Sequence, residues 1–557
     1  MWQTGSATDY FDLLNELKLI ATARHVATAA INAAGTGYTV GDVLTIAGGT
    51  STHVATLEVL TITGGGGTGP IGSVRITNAG AYSVDPTTTA NAVTGGTGAS
   101  ATIDLTMAGT GWTVLRESER ALSATVSAAG NGYNIGDELE VQGGLGIGSS
   151  NLVSAAVFVV ATLTGGAGSG VATVTVKSGS EGNYEETPAN AAATVALTGT
   201  GDDACTLTVT YESRVPDDHS ILVLEGAAAG SPDPVQVAIK TFDDTDGIFD
   251  SRNWALFGFA NDFSTLAMMH QQSGISPGWT AVDDGVAQTY GACVPLKDND
   301  GGGSYPLDYY FSITDRRILM AVQIDSATID AWMTMYLGFT NQYGTTDELP
   351  YPVVIAGCAS TMAASALNVS ISPVKTSIVH LLCDSYDETD DGPAFMLTPA
   401  GMWRQLANGT LNSGNAFSRR SQWVTTPCGF PTAPANSYQP GYDLIASGQV
   451  TWYDDIIAMQ EAVSPTFPLY PTPDTTNTKQ YMLVPVAVVV GEGTGVDPGD
   501  VWYPFGEMDG VYWFSYADGG AGADALDYMD VGTDRYRVFR AAHRAELSND
   551  FFVFRED

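Results

Sequence analysis

The residues best suited to chemistry in this sequence form one acidic cluster: Asp384, Asp387, Glu388, Asp390 and Asp391. Calcium binds several carboxylate oxygens supplied by a flexible loop, and glycoside hydrolysis needs two carboxylates at a fixed separation. The cluster is therefore the candidate metal site, with Asp384, Asp387, Glu388 and Asp390 as ligands and Ca²⁺ as the ion. In a chain this acidic, a solvated loop explains the same residues, and the sequence favours that interpretation.

Two other patterns imitate known ligand sites without their full chemistry. Asp298-Asn299-Asp300-Gly301 begins like an EF-hand loop, but Tyr309 stands at position twelve, where a bidentate Glu is required. Gly64, Gly66 and Gly69 match the dinucleotide fingerprint, yet a further strand follows them instead of the helix that would hold a pyrophosphate. The histidines do not fall at metal-ligand spacing, and no GxSxG motif is present. The sequence therefore predicts no catalytic or cofactor-binding residue, and a protein that is not an enzyme.

Positive charge is concentrated near the end of the sequence, in four arginines: Arg535, Arg537, Arg540 and Arg544. The chain has 61 acidic and 22 basic residues, a formal net charge of -39, which repels nucleic acid and anionic membranes. The arginines are thus the place where an acidic neighbour could be held by bidentate pairing. They predict an intersubunit interface. Alternating arginines on an exposed hairpin, Tyr536 to Arg540 with Phe551 to Arg555, explain them equally well.

Several aromatic residues lie among Asn, Ser and Gly in the C-terminal half: Trp403, Trp423, Tyr438, Tyr442, Trp452 and Tyr453. Together they are compatible with a carbohydrate-stacking surface. Proline-rich loops around a β core produce the same composition, and the sequence favours that explanation.

The elements that position these residues are organised around a repeat. AAGTGYTVGDVLTIAGG, at Ala33 to Gly49, returns 95 positions later as AAGNGYNIGDELEVQGG at Ala128 to Gly144, with ten of seventeen residues identical. The glycines permit turns with positive φ, and alternating strands follow them. The repeat and a change of composition near Ser213 predict four parts: a helical arm at 1–27, Gly-rich β repeats at 28–111 and 112–212, and a larger β-rich domain at 213–557.

Few helices are expected in a chain of 557 residues with 64 glycines and many Thr, Val and Ala. The spacing of apolar residues predicts a helix over Asp9 to Val26, capped by Asp9, and a second over Ile329 to Leu337. No secretory signal and no apolar run long enough to span a bilayer is recognised. The fold class is therefore mainly β and multidomain, in a protein made in the cytoplasm.

The Gly-rich units resemble the GxGYxxGDxLxxxGG repeats of tailed-bacteriophage virion proteins, including tail fibres and head-attached fibres. From Ile221 to Asp557, segments such as VQVAIKTF at Val235 to Phe242 and YYFSITDRRI at Tyr309 to Ile318 are similar to a family of uncharacterised phage virion structural proteins. That family usually has a glycine pair after its Tyr-Pro segment, where Ala356-Gly357-Cys358 stands here.

This resemblance implies a structural component of the virion, assembled in the host cytoplasm and tail-associated. A capsid-decorating or head-fibre protein fits the same features, and a host-glycan adhesin or depolymerase is the alternative of another class. The expected partners are other virion proteins and further copies of the chain, with a host surface glycan for the adhesin. Nucleic acid and membrane are not expected partners.

Overall fold

The structure of the protein is a computed structural model, and its described residues contain one α-helix and many antiparallel strands. It describes residues 1–146, 155–217, 220–226, 234–241, 254–264, 267, 269–276, 292–294, 296, 306–325, 331–343, 353–357, 394–397, 403–405, 423–426, 484–492, 501–515, 526–532, 534–540 and 550–556. Within them the chain is mainly β, which confirms the predicted fold class. No helix among these residues has the length and apolarity needed to cross a membrane.

The elements follow one another in three groups. The first contains β1 (Trp2–Ala7), α1 (Tyr10–Ala21), β2 (Arg24–Thr36), β3 (Val43–Ile46), β4 (Thr50–His53), β5 (Thr56–Ile62), β6 (Ile71–Asn78), β7 (Ala81–Val84), β8 (Asn91–Thr94) and β9 (Ala99–Gly109). The second contains β10 (Trp112–Glu117), β11 (Glu119–Ala129), β12 (Glu138–Val141), β13 (Leu145–Gly146), β14 (Val157–Leu163), β15 (Val171–Val176), β16 (Tyr184–Glu186), β17 (Ala192–Ala196) and β18 (Cys205–Ser213). The third contains β19 (Ile221–Gly226), β20 (Val235–Thr241), β21 (Trp254–Gly258), a 3-10 helix (Met269–Gln271), β22 (Cys293–Val294), β23 (Leu307–Ile313), β24 (Arg317–Asp325), β25 (Ala331–Phe339), β26 (Asn341–Gln342), β27 (Val353–Ala356), β28 (Ala394–Leu397), β29 (Trp403–Gln405), β30 (Trp423–Thr426), β31 (Val484–Glu492), β32 (Val501–Ser515), β33 (Tyr528–Val531), β34 (Asp534–Arg540) and β35 (Asp550–Glu556).

The two copies of the repeat fold into two β modules with the same topology. Module 1, residues 24–109, is an eight-stranded sheet in the order β4-β7-β2-β9-β8-β3-β5-β6. Module 2, residues 119–213, is an eight-stranded sheet in the order β13-β16-β11-β18-β17-β12-β14-β15. Each strand of module 2 occupies the place of its counterpart in module 1. The duplicated sequence is therefore a duplicated fold.

Glycine is required at the turn that opens each repeat. Gly35 has φ of 60° and its counterpart Gly130 has φ of 56°, in the left-handed region that side chains rarely adopt. A Cβ atom at Gly35 would lie 2.4 Å from the carbonyl oxygen of Ala99, and one at Gly130 would lie 2.8 Å from the amide nitrogen of Cys205. Close approach of the neighbouring strand and backbone conformation both fix glycine here.

The Gly-Asp step of the repeat closes the next turn in both modules. The backbone N–H of Thr39 donates to Asp42 Oδ2 at 2.9 Å, and that of Asn134 donates to Asp137 Oδ2 at 2.8 Å. Such side-chain bonds to a nearby backbone N–H stabilise a turn. The aspartate common to the two copies is thus a structural residue.

A buried tyrosine hydroxyl completes each module core. The Tyr82 hydroxyl accepts a hydrogen bond from the Ala55 N–H at 2.9 Å, and the Tyr184 hydroxyl accepts one from the Ala156 N–H at 2.6 Å. Both rings are 1% exposed, so neither amide has access to water as an alternative partner. The shared tyrosines satisfy backbone groups that the sheet leaves open.

The remaining elements form the body of the protein, which comprises β1, α1, β10 and β19 to β35. One sheet has the order β1-β23-β24-β25-β27-β28-β29, and a second has the order β10-β19-β20-β21-β22. A third has the order β30-β31-β32-β35-β34-β33, with β26 paired to β32. The first two sheets and α1 share one apolar core.

Helix α1 begins at the predicted cap, but it ends at Ala21, and Arg24 to Val26 of the predicted helix belong to strand β2. The Asp9 side chain caps it by accepting the Asp12 N–H at 2.7 Å. The buried stripe consists of Tyr10, Leu13, Leu14, Leu17, Ile20 and Ala21. Trp254 of β21 donates from its indole N–H to the carbonyl oxygen of Tyr10 at 2.8 Å, which anchors the helix inside the body.

The boundaries of the parts differ from those predicted at two places. Residues 1–27 were expected to form a helical arm, but β1 pairs along its length with β23, and α1 lies in the core of the body. The second repeat was expected from residue 112, but β10 pairs with β19 of the body, and module 2 begins at Glu119. In the sequence, strand β1 of the body therefore precedes module 1, and strand β10 of the body lies between the two modules.

The helix predicted over Ile329 to Leu337 is wrong, because this segment contains strand β25. The strand pairs with β24 on one side and β27 on the other. Trp332, Met333, Met335, Tyr336 and Leu337 are all fully buried, so both faces of the strand are covered. A strand buried on both faces loses the apolar-polar alternation that distinguishes strand from helix in a sequence.

Candidate functional site

Several of the predicted site residues lie outside the described residues. These are the acidic cluster Asp384, Asp387, Glu388, Asp390 and Asp391, together with Arg544, Tyr438, Tyr442, Trp452 and Tyr453. Within the residues that the structure describes, no group of three or more His, Cys, Asp or Glu side chains could hold a metal ion. Trp403 is half-buried against the body core and donates from its indole N–H to the Gly274 carbonyl oxygen at 2.8 Å.

The predicted interface arginines that are described form ion pairs within the chain. Arg535 is 8% exposed, donates from Nε to Asp530 Oδ1 at 2.9 Å, and lies 3.5 Å above the Tyr528 ring centre. Arg537 Nη2 lies 2.7 Å from Glu556 Oε1. Arg540 belongs to β34, but its side chain is not among those described. Arg535 and Arg537 therefore bind acidic side chains of their own chain, and the predicted pairing with another subunit stays a prediction.

These arginines belong to a junction between module 1 and the C-terminal strands β33 to β35. Arg75 and Glu58 face each other on β6 and β5, with Arg75 Nη2 at 2.6 Å from Glu58 Oε2. Arg75 Nη1 lies 3.3 Å from Asp530 Oδ2, and Arg535 Nη1 lies 4.0 Å from Glu58 Oε2. Carboxylates and guanidinium groups thus alternate across the junction. The Arg535 hydrogen bond and the charge of both arginines hold the pKa of Asp530 below its ordinary value.

A half-open cavity of about 450 Å³ lies beside this junction. Its wall combines β1, β2 and β6 with β34 and β35, and consists of Met1, Trp2, His25, Val26, Ala27, Ala29, Val74, Arg75, Ile76, Thr77, Ala79, Arg535 and Glu556. The volume is within the range of small-molecule sites, and the wall combines apolar residues with several polar and charged ones.

Three nitrogen atoms in the wall residues have no hydrogen-bond partner among the described residues. They are Trp2 Nε1, His25 Nδ1 and Arg75 Nε, and all three are buried. Burial lowers the pKa of His25 to about 4, so its ring is neutral at pH 7. Unpaired buried polar groups are rare in folded proteins because each costs free energy.

Comparison with models of known protein families and with curated proteins found no match. The candidate site therefore depends on geometry alone.

A second junction joins module 1 to the body through three side chains. The Tyr309 hydroxyl donates to Glu16 Oε2 at 2.8 Å and lies 2.9 Å from His53 Nε2. Burial alone would raise the pKa of Glu16, but the hydrogen bonds with His53 and Tyr309 lower it. Helix α1, strand β4 and strand β23 each contribute one member, so the contact fixes three elements at once.

Module 2 is joined to the body by a more deeply buried ion pair. Arg116 Nη1 of β10 donates to Glu185 Oε2 of β16 at 3.0 Å, and the Met269 N–H donates to the same oxygen at 2.6 Å. The side chains of Arg116 and Glu185 are 4% and 0% exposed. Burial raises the pKa of Glu185, while Arg116 and Lys240 oppose that shift by their charge. This pair is a docking contact between two parts of the chain.

Sequence analysis missed Trp2, His25, Arg75 and Glu58 as a group. One signal was present in the repeat itself. Glu58 and Arg75 are a cross-strand pair in module 1, whereas the corresponding pair in module 2 is Val159 and Thr175. Charged residues at only one of two equivalent positions indicate a contact that only one module makes.

Proposed function

We propose that this protein is a structural component of a tailed-phage virion, tail-associated, and that it acts through protein-protein contacts. The observation that carries the proposal is the duplicated module. The residues common to both copies are turn glycines, an Asx-turn aspartate and buried tyrosines, all of which serve the fold. Duplicated β units are typical of architectural proteins, and the resemblance to phage virion repeats supports the same proposal.

The docking contacts support the same proposal. Module 1 is held by the Arg75–Asp530 pair and the His53–Tyr309 bond, and module 2 is held by the Arg116–Glu185 pair. Buried ion pairs and networks hold their partners in one orientation because separating them leaves uncompensated charge. Fixed modules with exposed outer faces suit an assembly protein better than a protein that must open around a substrate.

The test is to locate the chain in purified particles of the phage that encodes it. Mass spectrometry of gradient-purified virions is expected to detect the chain, and immunogold electron microscopy is expected to label the tail. Label over the capsid would assign it to the head instead. Absence from particles, with the chain left in the soluble lysate, would overturn the proposal. A mutant phage with a nonsense codon in the gene provides the unlabelled control.

A further inference from the structure

The junction of Glu16, His53 and Tyr309 converges on one carboxylate oxygen. Glu16 Oε2 accepts the Tyr309 hydroxyl at 2.8 Å and lies 3.1 Å from His53 Nε2. The side chains of His53 and Glu16 are 18% and 19% exposed, so water screens their charges only in part. The contact that β4 of module 1 makes here with α1 of the body therefore depends on the charge of a single carboxyl group.

The hydrogen-bond pattern assigns the protons of this junction. Because the Tyr309 hydroxyl gives its hydrogen to Glu16, both oxygen atoms that face His53 Nε2 are acceptors, and Nε2 carries a hydrogen. His53 Nδ1 lies 3.3 Å from the Thr52 hydroxyl, which accepts or donates as the ring requires. The imidazole therefore keeps one orientation whether it is neutral or protonated, whereas Glu16 strengthens both of its bonds only while it is ionised.

The other charged side chains on the elements packed here are Asp12, Lys18 and Asp308. The first accepts the Thr8 N–H at 2.9 Å, and its charge reaches Tyr309. The second is paired with Glu117, and the third is exposed on the opposite face of β23. Strands β1, β4 and β7 contain no charged residue other than His53. Glu16 is therefore the carboxylate that pairs with His53 among the described residues.

Protonation of Glu16 weakens this contact. Burial raises the pKa of Glu16, but the hydrogen bonds with His53 and Tyr309 and the charge of His53 together lower it below its ordinary value. A carboxyl whose pKa is lowered by docking stabilises the docked state above its ordinary value, and that stability is lost as the pH falls through the lowered pKa. Histidine side chains are ordinarily protonated in such acid, so loss of the Glu16 charge leaves a partly buried cation without its counter-ion.

We propose that the Glu16–His53–Tyr309 junction is an acid-release latch. It holds strand β4 of module 1 against helix α1 while Glu16 is ionised, and it lets β4 separate from the body when Glu16 takes up a proton. Such a latch acts on module 1 wherever the chain is placed in a particle, so it is independent of the proposed virion role.

Hydrogen exchange of the full chain, measured by mass spectrometry at pH 7 and at pH 3, tests the latch. Strand β4 lies at the edge of its sheet, so its amides are protected by β7 and by packing against the body. After correction for the intrinsic pH dependence of exchange, β4 is expected to exchange about three- to tenfold faster at pH 3, since tenfold corresponds to one pKa unit. Equal corrected rates at the two pH values would overturn the proposal.

Two variants separate this latch from general effects of acid. Glu16→Gln removes the charge at every pH, and its β4 amides are expected to exchange at pH 7 as fast as those of the wild type do at pH 3. Asp104→Asn in β9 is the matched control, because the Ala90 N–H donates to Asp104 at 2.7 Å and lowers the pKa of that carboxyl as well. It is expected to leave the exchange of β4 as in the wild type at both pH values. Wild-type protection of β4 in Glu16→Gln at pH 7 would refute the latch, and this measurement decides if pH 3 unfolds the whole chain.

Discussion

Modules 1 and 2 are built from the same strands in the same order, yet they attach to the body by different chemistry. Module 1 uses partly exposed contacts, the Arg75–Asp530 pair and the His53–Tyr309 bond. Module 2 uses Glu185, whose side chain is fully buried against Arg116. The turns and cores are shared, so they specify the fold. The outer faces differ, so they specify which neighbour each copy meets.

The largest effect on stability is expected at the buried Arg116–Glu185 pair, which holds module 2. Glu185→Ala leaves the Arg116 guanidinium buried without its carboxylate, and we expect a loss of about 3–5 kcal/mol in the free energy of unfolding. The matched variant is Ser83→Ala, because Ser83 follows Tyr82 in module 1 as Glu185 follows Tyr184 in module 2. Ser83 is exposed, and its replacement is expected to change stability by less than about 0.5 kcal/mol.

Urea unfolding of the full chain, monitored by tryptophan fluorescence and by circular dichroism, measures both variants. Similar midpoints for Glu185→Ala and Ser83→Ala would show that the buried pair does not distinguish the modules.

A moderate effect on stability is expected from a substitution that gives module 1 a residue of module 2. Arg75→Thr gives module 1 the residue that module 2 has at position 175, and it removes the ion pairs to Glu58 and Asp530. Because Arg75 is partly exposed and Arg535 still lies near Glu58, we expect a loss of about 1 kcal/mol. The reciprocal Thr175→Arg adds an exposed charge and is expected to be nearly neutral.

Hydrogen exchange measured by mass spectrometry tests which strands lose stability in Arg75→Thr. Faster exchange in β6 and in β33 to β34 is expected for Arg75→Thr, with the amides of module 2 unchanged. Unchanged protection of β33 to β34 would mean that the arginine pairs do not hold this junction.

Much of the fold could be predicted because its signals are local. The repeat at Ala33 to Gly49 is recognisable because it recurs 95 positions later. Asp9 and the leucines after it predict helix α1. Strand β25 could not be recognised, since Trp332 to Leu337 is apolar on both faces and lacks the strand alternation. Strand β10 could not be assigned to the body, because its pairing with β19 joins residues far apart in the chain.

The cavity escaped prediction for a related reason. Its wall joins residues near the beginning of the sequence, such as Trp2 and His25, to Arg535 and Glu556 near its end. No spacing rule connects positions so far apart. The arginine cluster at Arg535 and Arg537 was visible in the sequence, but its partners Asp530 and Glu556 are ordinary acidic residues in a chain that has 61 of them.

The smallest expected effect concerns the shared turn, where the two copies diverge in one hydrogen-bond partner. Asp42 accepts from Thr39 and also from the Thr97 N–H at 3.0 Å and the Thr97 hydroxyl at 2.8 Å. Burial raises the pKa of Asp42, but the hydrogen bonds from Thr39 and Thr97 together outweigh it and lower the pKa to about 2. A carboxyl whose pKa is lowered on folding adds stability above its ordinary value near 4, and that stability is lost as the pH falls through about 2.

NMR titration of the Asp42 carboxyl carbon measures this pKa directly. Thr97→Ala removes the hydroxyl donor and keeps the backbone donor, so the pKa is expected to rise part of the way toward its ordinary value. Asp42→Asn is expected to flatten the loss of stability between pH 4 and pH 2, because the amide does not titrate. An unchanged Asp42 pKa in Thr97→Ala would assign the shift to the remaining donors, which are Thr39 and the Thr97 backbone N–H.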